Sequence, residues 1–388
     1  MLPCRPVKPE WIDTDAALAD AIERLRDAPR YALDTEFHRE RTYWPHLALV
    51  QLAWADDDRE HIALVDPLAV DVRPLRAVLE GPGVALLHAC SQDLEILERE
   101  CGTTPTRLFD PQIAAAFLGF KQASLGHLLE ALLDVSLPKA SQLADWTRRP
   151  LGDDARRYAA NDVAHLLSLH DVLRERLANA GRLAWAEEEC ERARAKDRSP
   201  RQPERAWWRL KGKNKLKGRA RRVAQTLAAW REREAARRDR PVRSVLNDLS
   251  LLALAHRPPK SPGDLKRTRG LDRRRLDDAT TKGILEAARA GLDLPDDAVE
   301  IPPKASGPKA NGAAVALCQA WLSEVASREN LDPAVLATRD DVSSLVRGAP
   351  SRLDEGWRHA LVGADVKALL AGERALAFEG QGLVLVPR

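Results

Sequence analysis

Two carboxylates stand two positions apart in a short apolar stretch near the N-terminus. Asp34 and Glu36 lie within residues 31–37, at the end of a short apolar run that predicts a β-strand. Because the side chains of a strand alternate between its faces, both carboxylates lie on the same face. Neighbouring anions repel unless a cation joins them, and hard divalent ions such as Mg²⁺ or Mn²⁺ suit carboxylate oxygens. The alternative is an ordinary solvated pair at a strand end.

Three further residues extend this acidic set. Asp93 lies in the first turn of a helix predicted after a buried strand at residues 84–88, where an acidic residue also complements the helix dipole. Tyr158 and Asp162 are four apart in a predicted helix, so a phenol and a carboxylate share one helix face. A half-buried tyrosine beside a surface aspartate is the alternative for that pair. It is weakened because the chain has only three tyrosines.

The order and spacing of these five residues resemble those of the DEDD exonuclease superfamily, in its tyrosine-bearing branch. The histidine branch would carry histidine one residue before the tyrosine, where this chain has Arg157. The surrounding segments resemble bacterial ribonuclease D, at residues 32–45, 87–95, 146–151 and 158–162. The resemblance covers about residues 10–180 for the catalytic domain, and the helical C-terminal half resembles the paired HRDC domains of that family.

The resemblance implies a cofactor and a role for each of the five residues. Asp34, Glu36, Asp93 and Asp162 become ligands of two divalent metal ions, Mg²⁺ or Mn²⁺, and Tyr158 orients the attacking water. A free phenol titrates near ~10, so hydrogen bonding to water is its expected role at neutral pH. In a two-metal site one ion generates hydroxide and the other stabilises the leaving 3′ oxygen. We therefore expect hydrolysis of RNA from the 3′ end, releasing nucleoside 5′-monophosphates, with tRNA precursors implied as substrates by the resemblance.

Strand patterns come first in the chain and helical patterns follow. Strands are predicted at residues 31–37, 47–54, 61–65 and 84–88. With the resemblance, this order implies a multidomain chain: an α/β ribonuclease H-like 3′–5′ exonuclease domain followed by two all-α HRDC-like domains. The expected bounds are 1–195 for the exonuclease domain, 205–291 for a basic HRDC domain, 301–312 for a linker, and 313–388 for a second, degenerate HRDC-like domain.

The 388 residues carry a formal net charge of only +3, but the charge is unevenly divided. Residues 1–190 hold 21 basic and 32 acidic residues, whereas residues 191–300 hold 30 basic and 16 acidic ones. A basic segment beside an acidic one is available to a polyanion, although a solvated face explains a charge run equally well. Trp207 and Trp208 permit stacking on bases, but tryptophans in helical domains more often belong to the core. The candidate RNA tether consists of Arg209, Lys211, Lys213, Lys215, Lys217 and Arg219.

Several lesser candidates surround the acidic set. His88 precedes the second acidic segment and is either a substrate contact or a satisfied strand-end histidine. Lys139 and Gln142 lie in a loop where a substrate contact competes with simple solvation. Ser91 is expected to cap the helix that carries Asp93, and Asp110 before Pro111 is expected to cap the next one.

Other classes of protein are excluded or disfavoured by the sequence. No stretch approaches ~18 uncharged apolar residues, so a membrane span is not expected. The N-terminus lacks a signal pattern and the five scattered cysteines include no C-x-x-C, which favours the reducing cytoplasm. No G-x-x-x-x-G-K-[ST] segment occurs, so no ATP site is expected. Two alternatives stay open: a DNA-trimming 3′–5′ exonuclease of the same chemistry, and a non-catalytic RNA-binding protein.

Overall fold

A computed structural model gives the arrangement of most of the chain. The structure describes residues 8–56, 59–121, 123–137, 145–199, 202–271, 276–302 and 310–388. These residues form two compact units. The first contains the described residues of Met1–Glu36, Leu47–Lys196 and Ala305–Arg388, and the second those of Phe37–His46 and Asp197–Lys304.

A six-stranded sheet forms the centre of the N-terminal part. Its strands are β1 (Glu10–Ile12), β2 (Arg30–His38), β3 (His46–Ala55), β4 (Glu60–Val65), β5 (Val84–Leu86) and β6 (Leu108–Phe109). They are ordered β1-β4-β3-β2-β5-β6, with β3 and β4 antiparallel and with β1–β4, β2–β5 and β5–β6 parallel. The four predicted strands are confirmed. Strands β1 and β6 were not predicted because three and two residues are too few to show a period.

Eight helices accompany this sheet in the described part of the N-terminal region. They are α1 (Asp15–Leu25), α2 (Arg76–Leu79), α3 (Ser91–Cys101), α4 (Pro111–Ala116), α5 (Leu125–Leu133), α6 (Asp153–Ala164), α7 (Leu166–Asn179) and α8 (Leu183–Arg194). Helix α6 begins with two acidic residues, Asp153 and Asp154, which complement its dipole, and it buries Ala159 and Val163. Tyr158 and Asp162 each precede one of these buried residues, so they lie about 100° around the helix from them.

The second unit is helical apart from the loop that it receives from between β2 and β3. Its helices are α9 (Gly218–Arg238), α10 (Val242–Val245), α11 (Asp248–His256), α12 (Pro262–Lys266) and α13 (Asp278–Asp293). Helices α9 and α13 pack closely because Gly291 has no side chain: a Cβ there would lie 2.5 Å from the Val223 Cα. Asp239 accepts hydrogen bonds from the backbone N–H groups of Tyr43 and Trp44, which ties the loop to α9.

The C-terminal segment belongs to the first unit. It contains α14 (Gly312–Arg328), α15 (Pro333–Leu336), α16 (Arg339–Val346), α17 (Gly356–Arg358), α18 (Ala364–Ala371), β7 (Arg374–Glu379) and β8 (Gly382–Pro387). Trp357 stacks on Trp185 with ring centroids 5.1 Å apart and meets Phe117 edge-on at the same distance. Arg358, which is 2% exposed, binds both carboxylate oxygens of Glu189. The segment therefore shares its core with the exonuclease part.

One feature of this segment differs from the expected all-helical ending. Strands β7 and β8 form an antiparallel hairpin in which Glu379 pairs with Gly382. The two-residue turn between them starts at Gly380, whose φ of +64° favours glycine. Short apolar runs on both sides of this turn, at residues 375–378 and 383–386, account for the strands, which the expectation of an all-α domain missed. The predicted domain limits themselves stay a prediction.

Candidate active site

Strand β2 and helix α6 bring three of the predicted carboxylates together. β2 pairs with β5 through Ala32 and Leu86, so Asp34 and Glu36 lie just beyond the end of the shorter strand. Helix α6 supplies Asp162. One carboxylate oxygen from each of Asp34, Glu36 and Asp162 lies within 4.8 Å of the others. Such spacing of oxygen atoms is suited to a shared cation.

Asp93 stands beside this group but is not one of its three members. It lies in the first turn of α3 and is 7% exposed. Its Oδ1 accepts a hydrogen bond of 2.5 Å from the hydroxyl of Thr35, the residue between Asp34 and Glu36 on β2. Its negative charge contributes to raising the pKa of both Asp34 and Glu36. Strands β2 and β5 are parallel, so their C-terminal ends lie at the same edge of the sheet. This explains why Asp93, on the helix that follows β5, lies beside Thr35 of β2.

Burial raises the pKa of all four carboxyls, and repulsion within the group adds to this at Asp34 and Glu36. Burial raises the pKa of Asp34 well above its usual range, and the charges of Asp93, Asp162 and Glu36 raise it further. Burial, followed by the charges of Asp162 and Asp93, raises the pKa of Glu36 to about 8. Burial raises the pKa of Asp162 to about 7 and also raises that of Asp93, against the hydrogen bond from Thr35. These groups therefore lack a positive partner among the described residues, and an all-oxygen donor set fits Mg²⁺ or Mn²⁺.

Tyr158 occupies the same face of α6 as Asp162, one helical turn earlier. Its ring lies 6.0 Å from the ring of Trp146, at an interplanar angle of 40°. Trp146 is buried together with Ala48 and Leu49 of β3. The packing holds the phenol ring in place on α6, one helical turn before Asp162.

The remaining candidates near the site have different surroundings. His88 is half-buried, its Nδ1 has no hydrogen-bond partner among the described residues, and burial lowers its pKa despite the nearby charge of Asp110. Lys139 and Gln142 lie outside the described residues. Asp110 is the N-cap of α4, as predicted, and accepts a hydrogen bond from the Gln112 N–H.

The prediction that Ser91 caps α3 is wrong. Ser91 is the first residue of the helix, and its N-cap is Cys90, whose side chain makes no capping hydrogen bond. Instead, the Cys90 N–H donates to Asp110, which is distant in the sequence. This contact and the contact of Thr35 with Asp93 were not predicted from the sequence. The helix cap already accounts for Asp110, and the strand already accounts for Thr35.

Four of the six side chains of the candidate RNA tether are exposed and make no ion pair with another described residue. Lys211, Lys215, Lys217 and Arg219 are exposed and make no salt bridge with another described residue. Arg209, by contrast, pairs with Glu232 at 2.9 Å, and the Lys213 ammonium donates to the Trp208 carbonyl.

The two tryptophans beside this segment support its fold. Trp207 is 3% exposed, and the indole N–H groups of Trp207 and Trp208 both donate to the Glu300 carbonyl, at 3.0 and 2.8 Å. Arg205 lies over the Trp208 ring. Core packing is therefore the better interpretation of Trp207, and the lysines are the accessible part of the segment.

Fold and site together define a 3′–5′ exonuclease domain joined to a helical accessory module. A sequence model of the 3′–5′ exonuclease family matches residues 9–178, and a model of the HRDC domain matches residues 220–287. The sheet, the acidic group and α6 all fall within the first match. No helix among the described residues has the length and apolar character needed to cross a membrane.

Full-length relatives identify the particular family. The chain is 36% identical to ribonuclease D of Gluconacetobacter diazotrophicus over 386 residues, covering 98% of this chain and 97% of that protein. It is also 36% identical to ribonuclease D of a Jannaschia species, covering 97% and 99% of the two chains. The crystal structure of Escherichia coli RNase D, an exoribonuclease involved in structured RNA processing, superposes with a TM-score of 0.83 at 32% identity, covering 94% of this chain and 99% of that one. The chain therefore belongs to the ribonuclease D family of 3′–5′ exoribonucleases, which confirms the predicted resemblance and fold class.

Proposed function

We propose that this protein removes nucleotides one at a time from the 3′ end of structured RNA, with tRNA precursors among its substrates. The observation that carries the proposal is the meeting of Asp34, Glu36 and Asp162 within 4.8 Å. Asp93 is linked to the same strand through the Thr35 hydroxyl, and Tyr158 lies one helical turn before Asp162. The kinship with E. coli RNase D, described as acting in structured RNA processing, supports the choice of substrate. The four carboxylates are proposed as ligands of two divalent ions, Mg²⁺ or Mn²⁺.

The reaction is hydrolysis of the terminal phosphodiester. A water oxygen bonds to phosphorus, the bond from phosphorus to the 3′ oxygen breaks, and that oxygen takes up a proton. The products are a nucleoside 5′-monophosphate and an RNA shortened by one residue. When bound, two divalent ions supply Lewis acidity that activates the water and stabilises the leaving oxygen.

The chain's own residues supply the positioning. Tyr158, held against Trp146, is proposed to hydrogen-bond the attacking water and orient it toward phosphorus. Thr35 holds the Asp93 carboxylate by its hydroxyl and thereby connects α3 to the strand that carries Asp34 and Glu36. Burial of these carboxyls excludes bulk water and strengthens their attraction for a cation.

A nuclease assay tests this proposal on the full chain. The wild type and the Asp34→Asn and Asp162→Asn variants are given 3′-extended tRNA, unstructured RNA and single-stranded DNA, with Mg²⁺, Mn²⁺ or EDTA. We expect mononucleotide release from RNA that needs the divalent ion and is lost in both variants. Release that persists in EDTA or in either variant contradicts the metal-dependent site. Equal cleavage of DNA and RNA supports the DNA-trimming alternative instead.

The basic segment is proposed to hold the RNA during this reaction. Lys215 and Lys217 are exposed and make no salt bridge with another described residue, so each is available to a phosphate. For single strands, each phosphate contact adds about 0.7 to the slope of log affinity against log salt. The double substitution of both lysines by glutamine should therefore lower that slope by about 1.4 and leave kcat at saturating RNA nearly unchanged.

The same double substitution at Lys260 and Lys282, two exposed lysines of the same unit, is the control for the loss of two positive charges; Lys282 pairs with Glu286 at 3.9 Å. An equal loss of slope in the control contradicts a specific tether and leaves only a general charge effect. Substitution is a better test than truncation, because residues from 310 onward share the core of the exonuclease part. We also propose a cytoplasmic location, which suits an RNA substrate and the four free, buried cysteines among the described residues.

A further inference from the structure

A buried carboxylate outside the acidic group holds the turn from which the Asp93 helix starts. Asp110 is 2% exposed, and its two oxygens accept three backbone hydrogen bonds. Oδ1 accepts from the N–H groups of Ala89 at 3.0 Å and Gln112 at 2.8 Å, and Oδ2 accepts from the Cys90 N–H at 3.0 Å. Only the Gln112 contact belongs to capping of α4. The other two hold a part of the chain that lies 21 and 20 residues earlier.

The turn needs such support because its backbone is unfavourable by itself. Ala89 has a φ of +58°, in the left-handed region that residues with a Cβ adopt at an energetic cost. Cys90 is the N-cap of α3, but its side chain makes no capping hydrogen bond. Backbone N–H groups at this end of the helix therefore need acceptors from elsewhere in the chain. Asp110 makes both contacts that compensate: it accepts from the strained residue and from the residue after it.

The turn is directly connected to the position of Asp93. Cys90 is three residues before Asp93, and its carbonyl accepts the first helical hydrogen bond of α3, from the Leu94 N–H at 3.0 Å. The orientation of Cys90 therefore determines where the first turn of α3 lies. Asp93 must there meet the Thr35 hydroxyl at 2.5 Å, a contact that a small rotation of the turn breaks.

We propose that Asp110 is a positioning residue for Asp93: by holding Ala89 in its left-handed conformation and fixing Cys90 after it, Asp110 places the Asp93 carboxylate beside Asp34 and Glu36 in a metal-binding arrangement. This inference rests on the function proposed above, because it gives Asp93 the role of a metal ligand. It assigns Asp110 a second role that its position before a proline does not reveal.

The substitution Asp110→Asn tests the proposal with little change of shape. An asparagine has one accepting oxygen, so its amide nitrogen faces a backbone N–H and at least one of the contacts to the turn is lost. Mn²⁺ affinity is measured on the full chain by calorimetric titration without RNA, and circular dichroism in EDTA reports the fold. We expect affinity to fall about 10- to 100-fold, as is usual when a group supporting a metal ligand is removed.

Two further variants separate positioning from a simple loss of stability. Ser124→Ala removes the N-cap of α5, where the side chain accepts from the His127 N–H, and should leave Mn²⁺ affinity unchanged. Ala89→Gly in the Asp110→Asn background should restore most of the lost affinity, because glycine adopts a positive φ without support. A merely destabilised protein gains no metal affinity from that glycine.

The outcomes distinguish failure of this inference from failure of the proposed function. If the wild type does not bind Mn²⁺, or Asp34→Asn binds it equally well, the proposed function fails. If Asp34→Asn loses binding but a folded Asp110→Asn binds like the wild type, or if Ala89→Gly restores nothing, the positioning role is refuted. Should Asp110→Asn fail to fold, Ala89→Val decides: it strains the same turn with Asp110 intact, and we expect weaker Mn²⁺ binding, whereas unchanged binding overturns the proposal.

Discussion

The metal-free protein should lose stability as the pH rises from about 5 to 8, and Glu36 should account for a large share of the loss. Its pKa is raised from 4.5 to about 8 in the folded state, chiefly by burial. Below pH 4.5 both states hold the proton. Between those two values the folded state holds a proton that the unfolded state has released, so the free energy of unfolding falls by up to about 1.4 kcal/mol per pH unit.

Across the whole interval, the ionisation of Glu36 lowers the free energy of unfolding by at most about 5 kcal/mol. The full loss is reached above pH ~8, where Glu36 is ionised in both states. Glu36→Gln removes this cost. In EDTA the variant should match the wild type near pH 4 and exceed its unfolding free energy at pH 8 by several kcal/mol, as measured by urea unfolding at each pH. Subtracting the variant from the wild type cancels titrating groups outside the acidic group, such as His170, whose pKa is lowered to about 4.

Mn²⁺ should reverse the trend, because it binds the ionised carboxylates and competes with protons. The wild type should gain more stability from Mn²⁺ at pH 8 than at pH 6, and Glu36→Gln should gain little at either. Glu98→Gln, at an exposed position on α3, is the control and should change neither curve. The reasoning is refuted if metal-free wild type grows more stable relative to Glu36→Gln between pH 5 and 8.

Three further substitutions are expected to separate chemistry from stability. Tyr158→Phe should lower kcat about 100-fold without changing Mn²⁺ affinity, because it removes the hydroxyl and keeps the ring packing. Glu189→Ala should cost about 3–5 kcal/mol in unfolding free energy, since it leaves the buried Arg358 without its partner. Asp66→Asn should cost about 3 kcal/mol, because Arg149 binds both Asp66 oxygens at 2.6 Å beside the segment that precedes α6.

Two of these substitutions, at Glu189 and Tyr158, have a comparison variant. Glu191→Ala breaks a more exposed pair with Arg194 on the same helix as Glu189 and should cost less than about 1 kcal/mol. Equal costs at Glu189 and Glu191 contradict the burial argument. Trp146→Phe tests whether ring support of Tyr158 matters: kcat should fall less than in Tyr158→Phe. A loss of Mn²⁺ binding in Tyr158→Phe argues that the phenol acts on the metal ligands rather than on water.

The central strands and the long helices of this protein follow from their sequence patterns. Residues 47–54 form an almost wholly buried strand and show a continuous apolar run, and α9 extends through residues 218–238 with helical periodicity. Local sequence patterns do not show which distant residues meet in the fold. Asp162 meets Asp34 across more than 120 residues of chain, and nothing in local spacing encodes that distance. The resemblance to a family supplied it.

Thr35 and Asp110 show why the supporting contacts were not predicted. A threonine between two acidic residues suits a strand, and an aspartate before a proline suits a helix cap. Both residues do occupy those roles. Their second contacts, to Asp93 and to Ala89, arise only when α3 and β6 are packed beside β2 and β5. Local preference was sufficient to explain each residue, so no signal was left for the tertiary contact.

The C-terminal segment and helix α6 contribute to one continuous apolar core. This core contains Ala160 and Val163 of α6 as well as Trp321 and Trp357 from beyond residue 310. Helix α6 carries Tyr158 and Asp162, and repulsion among the carboxylates works against their convergence until a cation binds. Removal of residues 310–388 would expose this core to water and weaken the support of α6 while that repulsion remained. Loss of activity on truncation would therefore report a disrupted exonuclease core as readily as a lost RNA contact, and only substitutions at exposed lysines distinguish the two.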